Sequence, residues 1–325
     1  MIEDEFRTEC ALDHKSEETI DNYFFWIKRF ILFTKKVKKE DLNITDVENF
    51  LKDIAVDKKL SGSSQSLAFN AIRYLFKRVL KKKFRIAKDW RVKRPQVRPD
   101  ILSVSEVERV INQFEGIFQL FTEVLYGFGL RKSKASSLRV MDVDFENNKL
   151  YVRQAKGEKD RILPMPETLK PKLKSHILKV KNLYEKDLIK KFNGCTIPKS
   201  IAHKSPGAGL EFKWQYIFPA KAFIKGKNIR HHFHPSGYDK QLKKVIQELQ
   251  INKRISAHSF RHSFCTHLID AGYPIHYIQQ LMGHKSSKTT EGYIHITEEV
   301  VKPYISPIDA MNQKTESLKI YKIAQ

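Results

Sequence analysis

From residue 13 onward the apolar positions fall at helical spacing. Ile20, Tyr23, Phe24, Ile27, Phe30 and Ile31 share one face of a helix predicted over 13–36, since a period of 3.6 puts residues three and four apart on one side. A second helix carries Val47, Phe50, Leu51 and Ile54, with Thr45 or Asp46 at its cap. The run Ser61-Gly62-Ser63-Ser64 predicts a turn. Leu67, Ala71, Ile72, Leu75, Phe76 and Val79 then predict a third helix. No strand pattern is evident in this part, which reads as an all-α domain of about the smallest size that folds alone.

The pattern breaks at 81–99, KKKFRIAKDWRVKRPQVRP, where basic residues interleave with Phe84, Trp90 and two prolines. This stretch reads as an interdomain linker, suited either to a phosphate backbone or to solvent. Periodicity resumes after Ile101. Ser103 with Glu106, or Ser105 with Glu108, makes a capping box for a helix bearing Val107, Val110 and Ile111. A largely apolar helix over 116–128 ends at Gly129-Leu130-Arg131. Short antiparallel strands are predicted at 143–145, 150–154 and 161–163, with turns at Asn147-Asn148 and Lys156-Gly157. Helix returns over 169–191. Residues 192–213, rich in Gly, Pro and Ser, read as an insertion or extended loop. Structure re-enters at Trp214-Gln-Tyr-Ile-Phe-Pro219 and continues through IRHHFHP. Next come a helix with Leu242, Val245, Ile246 and Leu249, two helices split by Ala271-Gly272-Tyr273-Pro274, and a short helix at 297–309. The expected class is mainly α with a small antiparallel β-sheet (α+β). The expected domains are 1–98 and 99–310, with a polar tail at 311–325.

Charge changes this picture. Against 37 Asp plus Glu stand 60 Lys plus Arg, a formal net charge of +23 over 325 residues. Such an excess favours a polyanionic partner, nucleic acid first. Cys10, Cys195 and Cys265 are scattered and build no disulfide framework. With an acidic, polar start and no apolar run of membrane-spanning length, a cytoplasmic protein without membrane contact is expected.

Candidate chemistry concentrates in 257–295. His258 and Arg261 form a His-x-x-Arg pair, Gly283 precedes His284, and Tyr293 lies nine positions beyond that histidine. Arginine grips two oxygens of a phosphate through its planar fork. Histidine donates a hydrogen bond or moves a proton. A tyrosine hydroxyl can attack phosphorus and hold it as an ester. The carboxylate cage of a metal-dependent nuclease is missing. The histidines at 231, 232 and 234, and at 258, 262 and 267, lack cysteine or carboxylate partners at ligand spacing, so no metal is expected. His262 and His267 read as helix-packing residues.

Four motifs in order resemble the tyrosine recombinase (phage integrase) superfamily. They are GLRKS at 129–133, KGEKDRILPMP at 156–166, HSFRHSFCTHL at 258–268 and LMGHKSSKTTEGYIH at 281–295. The resemblance covers nearly the whole chain, and residues 1–98 resemble the family's SAM-like core-binding domain. The segment before Trp214, the WQYIFPA run and IRHHFHP at 229–235 further resemble the integron-integrase branch. The resemblance implies a site-specific recombinase without metal, ATP or other cofactor. Tyr293 would be the nucleophile. Arg131 and Arg261 would hold the non-bridging oxygens, Lys156 would protonate the leaving 5′-oxygen, His258 would assist proton transfer, and His284 would donate to the phosphate. The hairpin also offers Lys159, and a solvated turn is the bland reading of Lys156. Trp214, His231 and His232 would contact flipped-out bases in folded single-stranded attachment sites, the plain alternative being a core tryptophan with surface histidines. The partner would be DNA, bound by a homotetramer, with residues after Pro303 packing into a neighbouring protomer.

One position departs from the family. Where members usually carry an acid three residues after the first arginine, this chain has Lys134, with Glu123 or Asp142 as candidate substitutes. Two rival readings follow: a Xer-like or phage-type enzyme acting on duplex sites, and a DNA-binding protein that has lost catalysis.

Overall fold

The computed structural model describes residues 2–36, 38–86, 100–153, 160–283 and 306–308, with Ile275 described by its backbone alone. The chain divides into two units, Met1–Val97 and Arg98–Gln325.

The first unit is helical throughout its described residues. Helix α1 (Ile2–Leu12) buries only Phe6 and Cys10, four residues apart on one face. Helix α2 (Glu17–Thr34) starts at Ser16, whose side chain accepts from the Thr19 amide, so it is shorter at both ends than the apolar pattern predicts. Helix α3 (Ile44–Lys52) is capped by Asn43, with Asp46 completing the capping box. The cap is therefore neither Thr45 nor Asp46. Helix α4 (Gly62–Tyr74) is capped by Ser61, so the serine run is a helix start as well as a turn. Both α3 and α4 continue into a wider π-helical turn, at Asp53–Asp57 and Leu75–Val79. The core gathers Phe30 against Phe50 and Phe76, with ring centroids 5.5 and 6.2 Å apart. Phe84 packs edge-on to Phe69 and Phe76, both at 5.7 Å. Its place in the first-unit core shortens the linker expected from residue 81. Residues 87–99, including Trp90, lie outside the described set.

The second unit is built around α6 (Gly116–Gly127), whose residues from Leu120 to Gly127 are all buried. A helix apolar all round is a central one. It contacts α5 (Val104–Gln113), α7 (Lys132–Ser136), α8 (Leu169–Ile189) and α11 (Ala257–Asp270). Ser103 and Glu106 form the capping box of α5, which settles that choice. Phe121 packs edge-on against Phe218, Phe233 and Tyr238 at 5.1, 4.8 and 5.0 Å.

The sheet has three antiparallel strands in the order β1 (Val143–Asp144), β2 (Lys149–Val152) and β3 (Arg161–Pro164). Register pairs Leu150 with Leu163 and Val152 with Arg161. Leu150, Val152, Arg161 and Leu163 are all buried, so Arg161 stands on the inward face. After α8, the predicted loop at 192–213 is structured: it holds α9 (Lys199–Lys204) and two short 3-10 turns at Ala208–Leu210 and Phe212–Trp214. Helix α10 (Pro235–Glu248), α11 and α12 (Ile275–Met282) complete the unit. Of the helix expected over 297–309 only 306–308 is described. There Ser306 Oγ donates to the Gly127 carbonyl at 2.9 Å and Ile308 is buried in this chain's own core.

Candidate phosphate-binding site

Two glycine-terminated helices set the geometry. Helix α6 is followed by Phe128 and then Gly129, at φ +60°. That left-handed conformation favours glycine, and a Cβ at Gly129 would lie 2.5 Å from Phe264 Cδ1. The turn sends Leu130 into the core and leaves Arg131, half-buried, at the N-cap of α7. Helix α12 ends the same way, at Gly283 with φ +60°. A Cβ there would collide with Arg161 Nη1.

Between these two helix ends lies Arg261, only 1% exposed. Its Nη1 donates to the Gly129 carbonyl at 2.6 Å and its Nη2 to the Met282 carbonyl at 2.5 Å. Arg161, 5% exposed, donates from its Nη1 to the same Met282 carbonyl. A buried cation is expensive unless hydrogen-bonded. Arg261 meets that need at the carbonyl-rich ends of two helices, and Arg161 shares one of them through its Nη1, where the backbone dipole favours positive charge. The clustering remains strained electrostatically. Burial, then Arg161 and Arg131, pulls the Arg261 pKa down to about 9. At neutral pH the guanidinium still carries its proton, so the site is a concentrated positive potential inside a mostly apolar wall. A tetrahedral oxyanion would relieve that repulsion.

His258 sits in the first turn of α11, where Ser256 accepts from its amide at 3.2 Å. Its ring lies edge-on to His262, with centroids 4.9 Å apart. Partial desolvation, then His262, Arg261 and Arg131, holds its pKa below the usual histidine range. It is therefore neutral at pH 7 and able to accept a proton. His262 thus belongs beside His258, whereas His267 does pack between helices, its Nδ1 hydrogen-bonded to Tyr126 Oη at 2.8 Å.

Lys134 donates to the Arg153 carbonyl at 3.2 Å, at the end of β2. Neither candidate acid makes a described contact with Arg131. Asp142 accepts from Arg153 Nε at 2.7 Å and from the Arg139 amide at 2.9 Å. Glu123 accepts from Lys172 Nζ at 2.5 Å.

Trp214, His231 and His232 converge around Arg139 and Tyr216. The Arg139 guanidinium lies 4.2 Å over the Tyr216 ring and 5.4 Å over Trp214. It donates to the Trp214 carbonyl at 2.5 Å and the Thr196 carbonyl at 2.9 Å. Tyr216 is edge-on to both histidines, at 5.4 and 5.3 Å, and those two rings are 3.9 Å apart. His231 Nδ1 shares a 2.5 Å hydrogen bond with Thr196 Oγ1. Burial, then His232, Arg139 and His234, takes the His231 pKa down to about 4.

The structure thus brings Arg131, His258 and Arg261 together and gathers Trp214, His231 and His232 in a second cluster. Lys156, His284 and Tyr293 lie outside the described residues. Sequence reasoning missed Arg161. Its signal was a charged residue in the inward register of a strand, on the face that carries Leu163. Among the described residues, no group of three or more His, Cys, Asp and Glu side chains is placed to hold a metal ion, and no helix is long and apolar enough to cross a membrane.

Comparison with known proteins gives a consistent picture. Residues 100–299 match the phage integrase family, and residues 2–86 match the phage integrase N-terminal SAM-like domain. An integrase/recombinase of Escherichia coli is 32% identical over 313 residues, covering 95% of this chain and 93% of the relative. The tyrosine recombinase XerA of Pyrococcus horikoshii is 27% identical over 300 residues, covering 91% and 89%. A lambda integrase (residues 75–356) dimer bound to a COC′ core site superposes with a TM-score of 0.57 at 16% identity, covering 90% of this chain and 97% of that one.

Proposed function

Since the chain belongs to the phage integrase family, and so is a tyrosine recombinase acting in site-specific DNA recombination, we propose that it is an integron-type integrase that moves gene cassettes at folded single-stranded attachment sites. The carrying observation is the convergence of Arg131, Arg261 and neutral His258 on one strongly positive site.

In this reading the Tyr293 hydroxyl oxygen attacks the scissile phosphorus, and His258 assists removal of the hydroxyl proton. Arg131 and Arg261 take the non-bridging oxygens and stabilise the charge of the five-coordinate transition state. The bond to the 5′-oxygen breaks, and that oxygen takes a proton from Lys156. His284 donates to the phosphate. The products are a 3′-phosphotyrosyl ester and a free 5′-hydroxyl, and attack by a new 5′-hydroxyl reverses the step. The ester keeps the energy of the diester, so rejoining uses neither ATP nor a metal. Four protomers would exchange strands through a Holliday junction.

The integron assignment is supported by the second cluster. Trp214, His231 and His232 gather around Tyr216 and Arg139. Indole and imidazole surfaces suit stacking on unpaired bases.

The test uses suicide substrates carrying an attachment site, once as the folded bottom strand and once as duplex. Wild type should trap a covalent adduct, Tyr293→Phe none, and the folded strand should be preferred. Absence of an adduct overturns the mechanism. A duplex preference unaffected by Trp214→Ala would instead place the enzyme with the Xer-like recombinases.

A further inference from the structure

Arg161 plays no part in the mechanism above, yet it is a buried cation beside a second one, which is costly. It is 5% exposed, lies on the inward face of β3 opposite Val152, and faces the guanidinium of Arg261. A methionine would fill the same place without like-charge repulsion, and replacing a buried ion by an apolar side chain is often neutral or stabilising. Simple core packing therefore does not account for an arginine here.

Three further observations say what it does. Its Nη1 donates to the Met282 carbonyl, which also accepts from Arg261. The room for that approach exists only because Gly283 lacks a side chain. The strand that carries Arg161 packs on α12 and directly follows, in sequence, the hairpin segment that holds Lys156.

We propose that Arg161 is a positioning residue for the recombination reaction: it grips the Met282 carbonyl from the β3 side and so fixes that carbonyl as the support of Arg261. Arg261 is held at one end by Gly129 and at the other by Met282. If the Met282 carbonyl shifts, the guanidinium shifts with it. The same grip ties β3 to the end of α12, two residues before His284 in sequence. The inference rests on the recombinase reading above, and on its phosphate-holding role for Arg261 in particular.

The experiment compares wild type, Arg161→Met and Arg161→Lys at saturating enzyme on a suicide substrate, alongside DNA affinity by gel shift and thermal melting. Misplacing a phosphate-holding group by about 1 Å costs on the order of a hundredfold in rate. Arg161→Met should therefore lose roughly 10- to 100-fold in adduct formation while its DNA affinity stays within about threefold. Arg161→Lys keeps a donor for the carbonyl and should recover part of the lost rate. It also serves if Arg161→Met fails to fold. Cleavage equal to wild type in Arg161→Met overturns the role of Arg161. So does a parallel loss of affinity and rate, which would mark a DNA contact or a global packing defect, and so does a folded Arg161→Lys no faster than Arg161→Met. A wild-type enzyme that forms no adduct overturns the proposed function instead, which keeps the two failures apart.

Discussion

Six histidines of the second unit, His176, His231, His232, His258, His262 and His267, have pKa values below the ordinary one, in each case with burial as the largest cause. In the unfolded chain they titrate near 6.5. Below that pH the unfolded state binds protons that the folded state refuses, so stability falls as pH falls. The contribution is fully present above pH 6.5 and is lost toward about 4, where His231 titrates. Thermal melts at pH 7.5, 6 and 5 should show a progressive drop in Tm, before most carboxylates begin to protonate. A flat Tm over this window would contradict the buried, neutral histidines. Arg131, His258 and Arg261 were legible in the sequence, since residue type and motif order sufficed. Arg161 was not, because its meaning depends on which strand face it occupies and on a carbonyl more than a hundred residues away. The support of the site is likewise backbone: the Gly129 and Met282 carbonyls have no side-chain signature.

The helices of the second and third apolar runs were readable because each buries a broad stripe, as α3 does with Val47, Phe50 and Leu51. Helix α1 escaped notice because it buries Phe6 and Cys10 alone amid charged neighbours, too narrow a stripe for periodicity to register. The cap of α3 shows the same limit. Asn43, Thr45 and Asp46 are all capping types, and only geometry assigns them. Asn43 accepts from the Asp46 amide at 3.0 Å, while Asp46 Oδ2 accepts from the Asn43 amide at 2.9 Å. Asn43→Ala should therefore cost about 1 kcal/mol, read as a lower denaturant midpoint. Thr45→Ala should stay within about 0.5 kcal/mol of wild type. The reverse order would reassign the helix start. The 192–213 segment was misread for a different reason. Its Gly, Pro and Ser content signals turns, but the hydrogen bonds that order it run to partners well separated in sequence: Cys195 to Gly209 and Thr196 to Arg230.

At the scale of the molecule, the charge of +23 pointed to nucleic acid, and the arginine site gathers Arg131, Arg161 and Arg261. The second cluster has a different logic. Arg230 is locked to Asp187 of α8 by a bidentate pair at 2.5 and 2.6 Å, with both side chains buried. Its amide donates to the Gly194 carbonyl at 3.1 Å, and its carbonyl accepts from the Thr196 amide at 3.0 Å. Arg139 depends in turn on the Thr196 carbonyl. The 192–213 segment is thus stitched at several points to the structure around it. This bears on chimaera design, because 192–213 cannot be exchanged as a cassette. Replacing it by a Gly-Ser bridge strips acceptors from Arg139 and backbone partners from Arg230. That should destabilise the unit by about 3 kcal/mol, from unpaired buried groups at about 1–3 kcal/mol each, seen as a lower Tm. A swap spanning 187–232 carries both ends of every one of these contacts except those to Arg139, so it should melt closer to the parent. The transferable block is set by where the hydrogen bonds close, and its seams lie outside the compositional boundary of the 192–213 segment.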